Sequence, residues 1–323
     1  MGINFLSFGS ALPQGTVTND DLSRMVETND EWIYTRTGIK QRRVAVTEST
    51  VSLGTEAAKK AIEKAGIDKD EIDLVVCATI TPDTNFPSTA GMVRQAIGLR
   101  DIPALDVFGT ACAGFIYAVS VAQGLMATGG YKTALVIGAE TLSKITDWTD
   151  RSSCILFGDG AGAAILSSGE GRGIISYHLD GINDVDGYLL CRLPSSDSPF
   201  YRGEKVDYTK MQMNGNKVFT FGITSVINGV RRMLDASGLT ADDISWIVPH
   251  QANRRIIASA AHRLGIPEKK FYVNIDHVGN TSSASIPIAL DEMTDKGLIK
   301  KGDKIIMVGF GGGLSAGSLL VEM

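Results

Sequence analysis

AIEKAGIDKDEIDLVV, residues 61–76, and MLDASGLTADDISWIV, residues 233–248, align without a gap. Gly66 meets Gly238, Asp70 meets Asp242, Ile72 meets Ile244, and the apolar positions agree throughout. Each stretch reads as a helix end, a glycine stop and a short acidic turn leading into a β-rich run. A second pair, YKTALVIGAE at 131–140 and GDKIIMVGFG at 302–311, recurs at nearly the same interval. Between these markers each half repeats one order of elements. In the first half the strand IDLVVCAT is followed by the helix PSTAGMVRQAIG and the strand PALDVF. The helix CAGFIYAVSVAQGLMATG and the strand TALVIGA complete it. In the second half ISWIVPH is followed by the helix ANRRIIASAAHRLG and the strand FYVNI. The helix SSASIPIALDEMTDKG and the strand KIIMVGF close the series. Strands apolar on both faces and alternating with helices predict parallel pairing under helical layers. The expectation is a duplicated α/β chain with halves 1–171 and 172–323 and no Pro- or Ser-rich linker between them.

Composition narrows the class. A chain of 323 residues with 44% apolar residues, 36 glycines and 9 prolines reads as compact and globular, which excludes disorder and collagen. A net charge of −5 argues against non-specific nucleic-acid binding, which needs a basic face. MGINFLSFGSALPQG lacks the basic and apolar regions of a signal peptide, and no uninterrupted apolar run reaches the roughly 18–20 residues of a membrane span. The four cysteines, Cys77, Cys112, Cys154 and Cys191, form no Cys-x-x-Cys pair, so neither a zinc site nor a disulfide framework is expected. The expected setting is the cytoplasm, with reduced thiols, no membrane insertion and no metal.

In open parallel sheets, ligands collect outside the carboxyl ends of the strands. The polar residues at those ends are Cys112 after PALDVF, His250 after SWIVP, and Asn280 shortly after FYVNI. If the halves are related by a pseudo-two-fold, a Cys, a His and an Asn meet in one pocket. Cys112 opens a helix, where the dipole and free N–H groups lower a thiol pKa and favour the thiolate. A buried free Cys is as often packing, so both readings stand. Of the four histidines, His178 falls on a strand, His262 in a last helical turn and His277 in a loop; His250 alone stands at a strand mouth directly before a helix. Asn280 is either a site residue or a helix cap. The glycine runs GDGAGAAIL and GFGGGLSAGSLL precede strands rather than helices, which argues against dinucleotide binding. The GGG run suits close backbone approach, as an oxyanion hole requires, and equally suits a tight hairpin.

TNDEWIYTRTGIKQRRVA, ACAGFIYA, TDRSSCILFGDGAGAAIL, PHQANRRII, GNTSSASIPIALDE and GFGGGLSAGS, in that order, span essentially the whole chain. Together they make it resemble the β-ketoacyl-acyl carrier protein synthase III family. The resemblance implies a thiolase-like fold of two duplicated βαβαβ-type halves in five α-β-α-β-α layers. It implies an acyltransferase that starts bacterial fatty acid synthesis by condensing a short acyl-CoA primer with malonyl-acyl carrier protein. Cys112, His250 and Asn280 would be catalytic, with the N–H groups of Cys112 and Gly312 as the oxyanion hole and no cofactor. CoA would meet Thr28, Trp32, Arg36, Thr37, Arg151, Asn216 and Asn253. Phe86 would reach across a homodimer to limit the acyl pocket. Lys217, Arg254, Arg255 and Arg263 would receive the acidic carrier protein. From the residues alone Trp32 suits a core anchor as well, and each basic residue suits a solvated face. The lead-in DVFGTAC, residues 106–112, is one residue longer than the family pattern, which leaves the acyl chain length open. A polyketide-priming relative shares the triad. A papain-like thiol hydrolase also uses Cys, His and Asn but lacks the α/β duplication, and a non-catalytic synthase subunit would lack Cys112.

Overall fold

A computed structural model describes residues 2–206 and 208–323. The chain begins with β1 (Gly2–Ala11), a hairpin of β2 (Gly15–Thr18) and β3 (Gln41–Val44), and the intervening helices α1 (Asn19–Ser23) and α2 (Asp30–Thr37). It continues through α3 (Thr50–Ala65), β4 (Leu74–Ala78), α4 (Thr89–Ile97), β5 (Ala104–Val107), α5 (Gly114–Gly129) and β6 (Thr133–Glu140). The short α6 (Arg151–Cys154) precedes β7 (Gly160–Gly169) and β8 (Ile174–Gly181). A small pair, β9 (Leu189–Leu190) and β10 (Gln212–Met213), leads to α7 (Gly215–Ser237), β11 (Trp246–Pro249), α8 (Arg254–Leu264) and α9 (Ile275–Val278). Last come α10 (Ser285–Asp295), β12 (Lys304–Gly311) and β13 (Ser315–Glu322).

The first sheet has the order β1-β7-β6-β4-β5 and the second β11-β12-β13-β8. Helices α3 and α4 cover the outer face of the first sheet, and α7 and α8 that of the second. Helices α5 and α10 lie between the sheets, where Phe115, Ile116, Val119, Ile286 and Leu290 share one core with Val76, Val136, Met307 and Leu319. The result is the five-layered α-β-α-β-α, thiolase-like architecture. By length and composition residues 111–129 are apolar enough to cross a membrane; here they fill the middle layer, which explains their apolarity. The repeated glycine stops are local in cause: α3 ends on Gly66 and α7 on Gly238, with φ of 65° and 70°.

Two expectations change. The sheets are mixed: β4, β5 and β6 pair in parallel, as do β11 and β12, but β1, β7, β8 and β13 join antiparallel. The GFGGGLSAGSLL run turns β12 straight back into β13, whereas β6 reaches β7 through a longer connection, residues 141–159, that contains α6. FYVNI is not a strand. Only Phe271 bridges Ile247, and the Gln251 side chain then takes over, donating to the Tyr272 carbonyl and accepting from the Asn274 N–H. Residues that would extend the ladder satisfy their backbone on that amide instead.

The contact between β6 and the turn preceding α10 tests the packing. A Cβ on Gly138 would overlap the Ser283 carbonyl oxygen. Gly138→Ala is therefore expected to lower unfolding stability by about 1–3 kcal/mol, read as a lower urea midpoint at unchanged slope.

Candidate active site

Cys112 lies in a 3-10 turn, Ala111–Ala113, that runs into α5. Ala111 is held at φ 42°, a strained value for a residue with a Cβ, and Gly109 before it takes φ 86°. The C-terminal end of β12 presses on this turn. A Cβ on Gly311 would sit 2.6 Å from the Cys112 nitrogen, and one on Gly309 2.9 Å from the Ala113 Cα. Only glycine fits, which gives the GFGGG run its reason. Gly312 follows, buried, and lines one cavity with Cys112.

His250 leaves β11 with its N–H donating to the Val308 carbonyl on β12 (2.8 Å). The imidazole is buried, edge-on to Phe310 at 5.2 Å, and its Nδ1 lies 2.6 Å from the Ser285 hydroxyl. Burial holds its pKa down to about 3, so the ring is neutral at physiological pH. The Gln251 N–H points at the Ser285 oxygen, leaving the hydroxyl proton free for Nδ1. With the Ser285 hydroxyl as the donor to Nδ1, the ring proton lies on Nε2.

Asn280 is strapped to the segment after α6: its N–H donates to the Leu156 carbonyl and its carbonyl accepts from the Gly158 N–H, both at 2.9 Å. Its side-chain Oδ1 accepts from the Ser282 N–H at 2.9 Å. A backbone N–H only donates, so the oxygen is fixed there and the NH2 group is turned away from it. Asn280 thus caps its own turn and is oriented by doing so. The turn Ser282–Ala284 packs against the Cys112 turn, and Ser282, at φ 50°, lines the same cavity. Cys112 and Ser282 line one cavity; His250 and Asn280 are not among its lining residues and are linked to it through Ser285 and Ser282 of the 280–285 segment.

The surroundings of Cys112 act against the helix-start effect. Burial pushes its thiol up to about 12, and the Glu140 carboxyl adds to the shift, while a hydrogen bond with Ser282 opposes it. Desolvation outweighs the helix end because Cys112 is only 7% exposed. The resting group is a thiol.

The cavity holds about 580 Å³, with apolar walls from Ile80, Leu142, Phe157, Leu189 and Met211. Phe108 and Gly109, from the DVFGTAC lead-in, also line it. Phe86 does not; it is 86% exposed on its own chain. Trp32 is half-buried between two guanidinium groups, Arg36 at 4.4 Å and Arg151 at 4.6 Å from the ring centroid. Asn253 caps α8 and reaches the Arg36 carbonyl at 3.0 Å, bringing that helix beside α2. The Thr28 hydroxyl oxygen is buried with no hydrogen-bond partner among the described residues. Thr37 is buried, donates to the Ile33 carbonyl and accepts from the Ile39 N–H, which helps close α2. Asn216 and Lys217 are exposed at the start of α7, and Arg254, Arg255 and Arg263 are exposed along α8. Sequence reasoning missed Ser282, Ser285 and Glu140, whose positions depend on the fold; the clustered hydroxyls of GNTSSAS were the only signal for the two serines, and Glu140 had none.

Comparison with known proteins gives concordant matches. A family model described as 3-oxoacyl-[acyl-carrier-protein (ACP)] synthase III matches residues 106–181, and its C-terminal counterpart matches residues 234–323. A β-ketoacyl-[acyl-carrier-protein] synthase III of Clostridium acetobutylicum is 46% identical, covering 99% of this chain and 98% of that protein. The crystal structure of 3-oxoacyl-[acyl-carrier-protein] synthase III from Aquifex aeolicus superposes with a TM-score of 0.93 at 40% identity, over 100% of both chains. A priming β-ketosynthase of the R1128 polyketide pathway superposes at 0.91 with 35% identity, over 100% of this chain and 96% of that one.

The buried thiol predicts a reactivity profile. Alkylation of Cys112 by iodoacetamide, followed by peptide mass spectrometry, should rise by about tenfold per pH unit between about pH 7 and 9 without a plateau. A plateau near neutrality would reveal a thiolate already formed.

Proposed function

The chain belongs to the β-ketoacyl-[acyl-carrier-protein] synthase III family, and from that premise we propose a role for each side chain of the site. The enzyme is an acyltransferase that condenses an acyl-CoA primer with malonyl-acyl carrier protein, giving a 3-oxoacyl-carrier protein, CO2 and CoA. Cys112 attacks the primer thioester; its proton leaves with the CoA thiolate and the acyl group stays on sulfur. The N–H groups of Cys112 and Gly312 hold the tetrahedral oxyanion, a role supported by the tight approach of β12 to the turn.

Malonyl-carrier protein then enters. His250 Nε2–H and the Asn280 NH2 group donate to its thioester carbonyl, and the C–C bond to the carboxylate breaks as CO2 leaves. The electron pair forms an enolate that attacks the acyl-Cys112 carbonyl. Collapse expels the Cys112 thiolate, which regains a proton. The observation that carries this assignment is the fixed orientation of both donors, His250 by Ser285 and Asn280 by the Ser282 N–H. No metal or redox cofactor has a part in this reading.

Trp32, between Arg36 and Arg151, offers a stacking platform for the CoA adenine. Thr28 with its unpaired hydroxyl, Asn216 and Asn253 complete the CoA path. Lys217, Arg254, Arg255 and Arg263 form a basic face for the carrier protein. The exposed Phe86 and the edge position of β5 support a homodimer in which Phe86 closes the partner's acyl pocket. We divide the chain into halves 1–171 and 172–323, since β7 ends at Gly169 and β8 begins at Ile174 in the other sheet, and place the enzyme in the cytoplasm. The similarity to a polyketide-priming synthase favours a second reading, a primer for secondary metabolism, which the same assay separates by primer choice.

The two half-reactions test the assignment. Mass spectrometry after mixing with acetyl-, isobutyryl- and longer acyl-CoAs should show an acyl adduct on Cys112, absent in Cys112→Ser. Asn280→Ala should keep that adduct yet lower CO2 release from malonyl-carrier protein by about a hundredfold. Turnover of peptides in place of thioesters would defeat the reading.

A further inference from the structure

Glu140, the last residue of β6, is fully buried. Its carboxylate accepts from the hydroxyls of Thr81 (2.6 Å), Ser283 (2.7 Å) and Thr79 (3.3 Å), and from the Ile80 N–H (3.1 Å). The roles proposed above leave this network unused. Its neighbours are unusual for a buried acid. The ionisable groups its charge reaches are the thiols of Cys77 on β4 and Cys112 in the turn beside it; Lys144 is turned to Asp83 at 2.5 Å. Desolvation accordingly raises Glu140 to about 7, against the pull of its hydrogen bonds.

The duplication gives the location its meaning. TACAG at 110–114 and TSSAS at 281–285 form the same 3-10 turn into a helix. Their second residues, Ala111 and Ser282, both take positive φ, at 42° and 50°. Ser283 thus stands where the other turn has Cys112. The strand ends correspond as well: YKTALVIGAE aligns with GDKIIMVGFG, so Glu140 matches Gly311. Facing Cys112 the strand end is a glycine pressed to the backbone; facing Ser283 it is a glutamate hydrogen-bonded to the hydroxyl. Ser283 in turn is flanked by Ser282, which touches the Cys112 thiol, and lies three residues from Asn280.

We propose that Glu140 is a positioning residue for the condensation: its carboxylate anchors Ser283, and through it the segment bearing Asn280 and Ser282, against the Cys112 turn. Both protonation states can be satisfied. Ionised, Glu140 accepts from the Ser283 hydroxyl; protonated, it donates to Ser283, whose own proton then goes to the Ala78 carbonyl at 3.1 Å.

The inference rests on the role assigned to Asn280, and the experiment separates the two. Cys112 acylation by acyl-CoA and CO2 release from malonyl-carrier protein are measured on the full-length enzyme for the wild type, Glu140→Ala, Glu140→Gln, Ser283→Ala, Asn280→Ala and the Glu140→Ala/Ser283→Ala double variant. Glu140→Ala and Ser283→Ala should each slow CO2 release by about tenfold or more while leaving acylation within about threefold, because misplacing a donor by a fraction of an ångström costs this step alone. Glu140→Gln, which keeps an oxygen facing Ser283, should recover most of the loss, and the double variant should be no worse than either single. Equal loss in both half-reactions, no loss, or additive losses would overturn the positioning role. Should Glu140→Ala fail to fold, Ser283→Ala and Glu140→Gln carry the test. If Asn280→Ala itself leaves CO2 release intact, the assigned mechanism fails; if Asn280→Ala blocks it and Ser283→Ala does not, only the inference fails.

Discussion

Each sheet grips a turn that leads into a helix beyond it. β6 passes the Ser282–Ala284 turn so closely that Gly138 has no room for a Cβ, and β12 passes the Ala111–Ala113 turn under the same restriction at Gly309 and Gly311. Backbone packed against backbone admits no side chain and little play. The helices that continue from the two turns, α5 and α10, are therefore set side by side as the middle layer, and their apolar faces fill the space between the sheets. The strand ends then arrive at the turns from opposite directions. Cys112 on one turn and Ser282 on the other become neighbours although well over a hundred residues separate them in the chain.

The arrangement has local costs that the layers around it sustain. Ala111, Ser282 and Leu314 all carry positive φ, and all three belong to turns at the site. Such residues cost on the order of 1–3 kcal/mol each and persist where surrounding structure over-determines them. His250 and Cys112 are moreover buried in their neutral forms, Ser285 being the polar partner of the ring. A site built on rigid strand ends tolerates this, and keeps its donors where the developing charge will appear.

How much of this the sequence disclosed depended on the range of the interaction involved. Gly66 and Gly238 are read easily because a left-handed helix cap is fixed by a few neighbouring residues. Cys112, His250 and Asn280 could be grouped because each closes an apolar strand run or its sequel. The failures were non-local. FYVNI has a strand's composition, but the Gln251 amide takes its ladder. A helix start alone would lower the Cys112 thiol pKa, one of the two readings the local sequence leaves open; burial between two turns, invisible in that sequence, raises it. Glu140 gave no signal, since its partners come from two distant segments.

The neutrality of His250 bears on why decarboxylation is favoured at such a site. An imidazolium would attract the malonyl carboxylate in the ground state as strongly as the enolate that replaces it, and uniform binding of that kind does not lower the barrier. A neutral Nε2–H and an amide NH2 directed at the thioester oxygen behave differently. They interact weakly with a carbonyl and more strongly as negative charge moves onto that oxygen. Burial of His250 against Phe310, with Ser285 fixing the tautomer, therefore removes a cation from the place where it would hold the substrate back. On the roles proposed for these residues, the desolvation that keeps the His250 ring neutral makes it a selective donor for the enolate, while the same desolvation at Cys112 works against the acylation half, which has to remove the thiol proton.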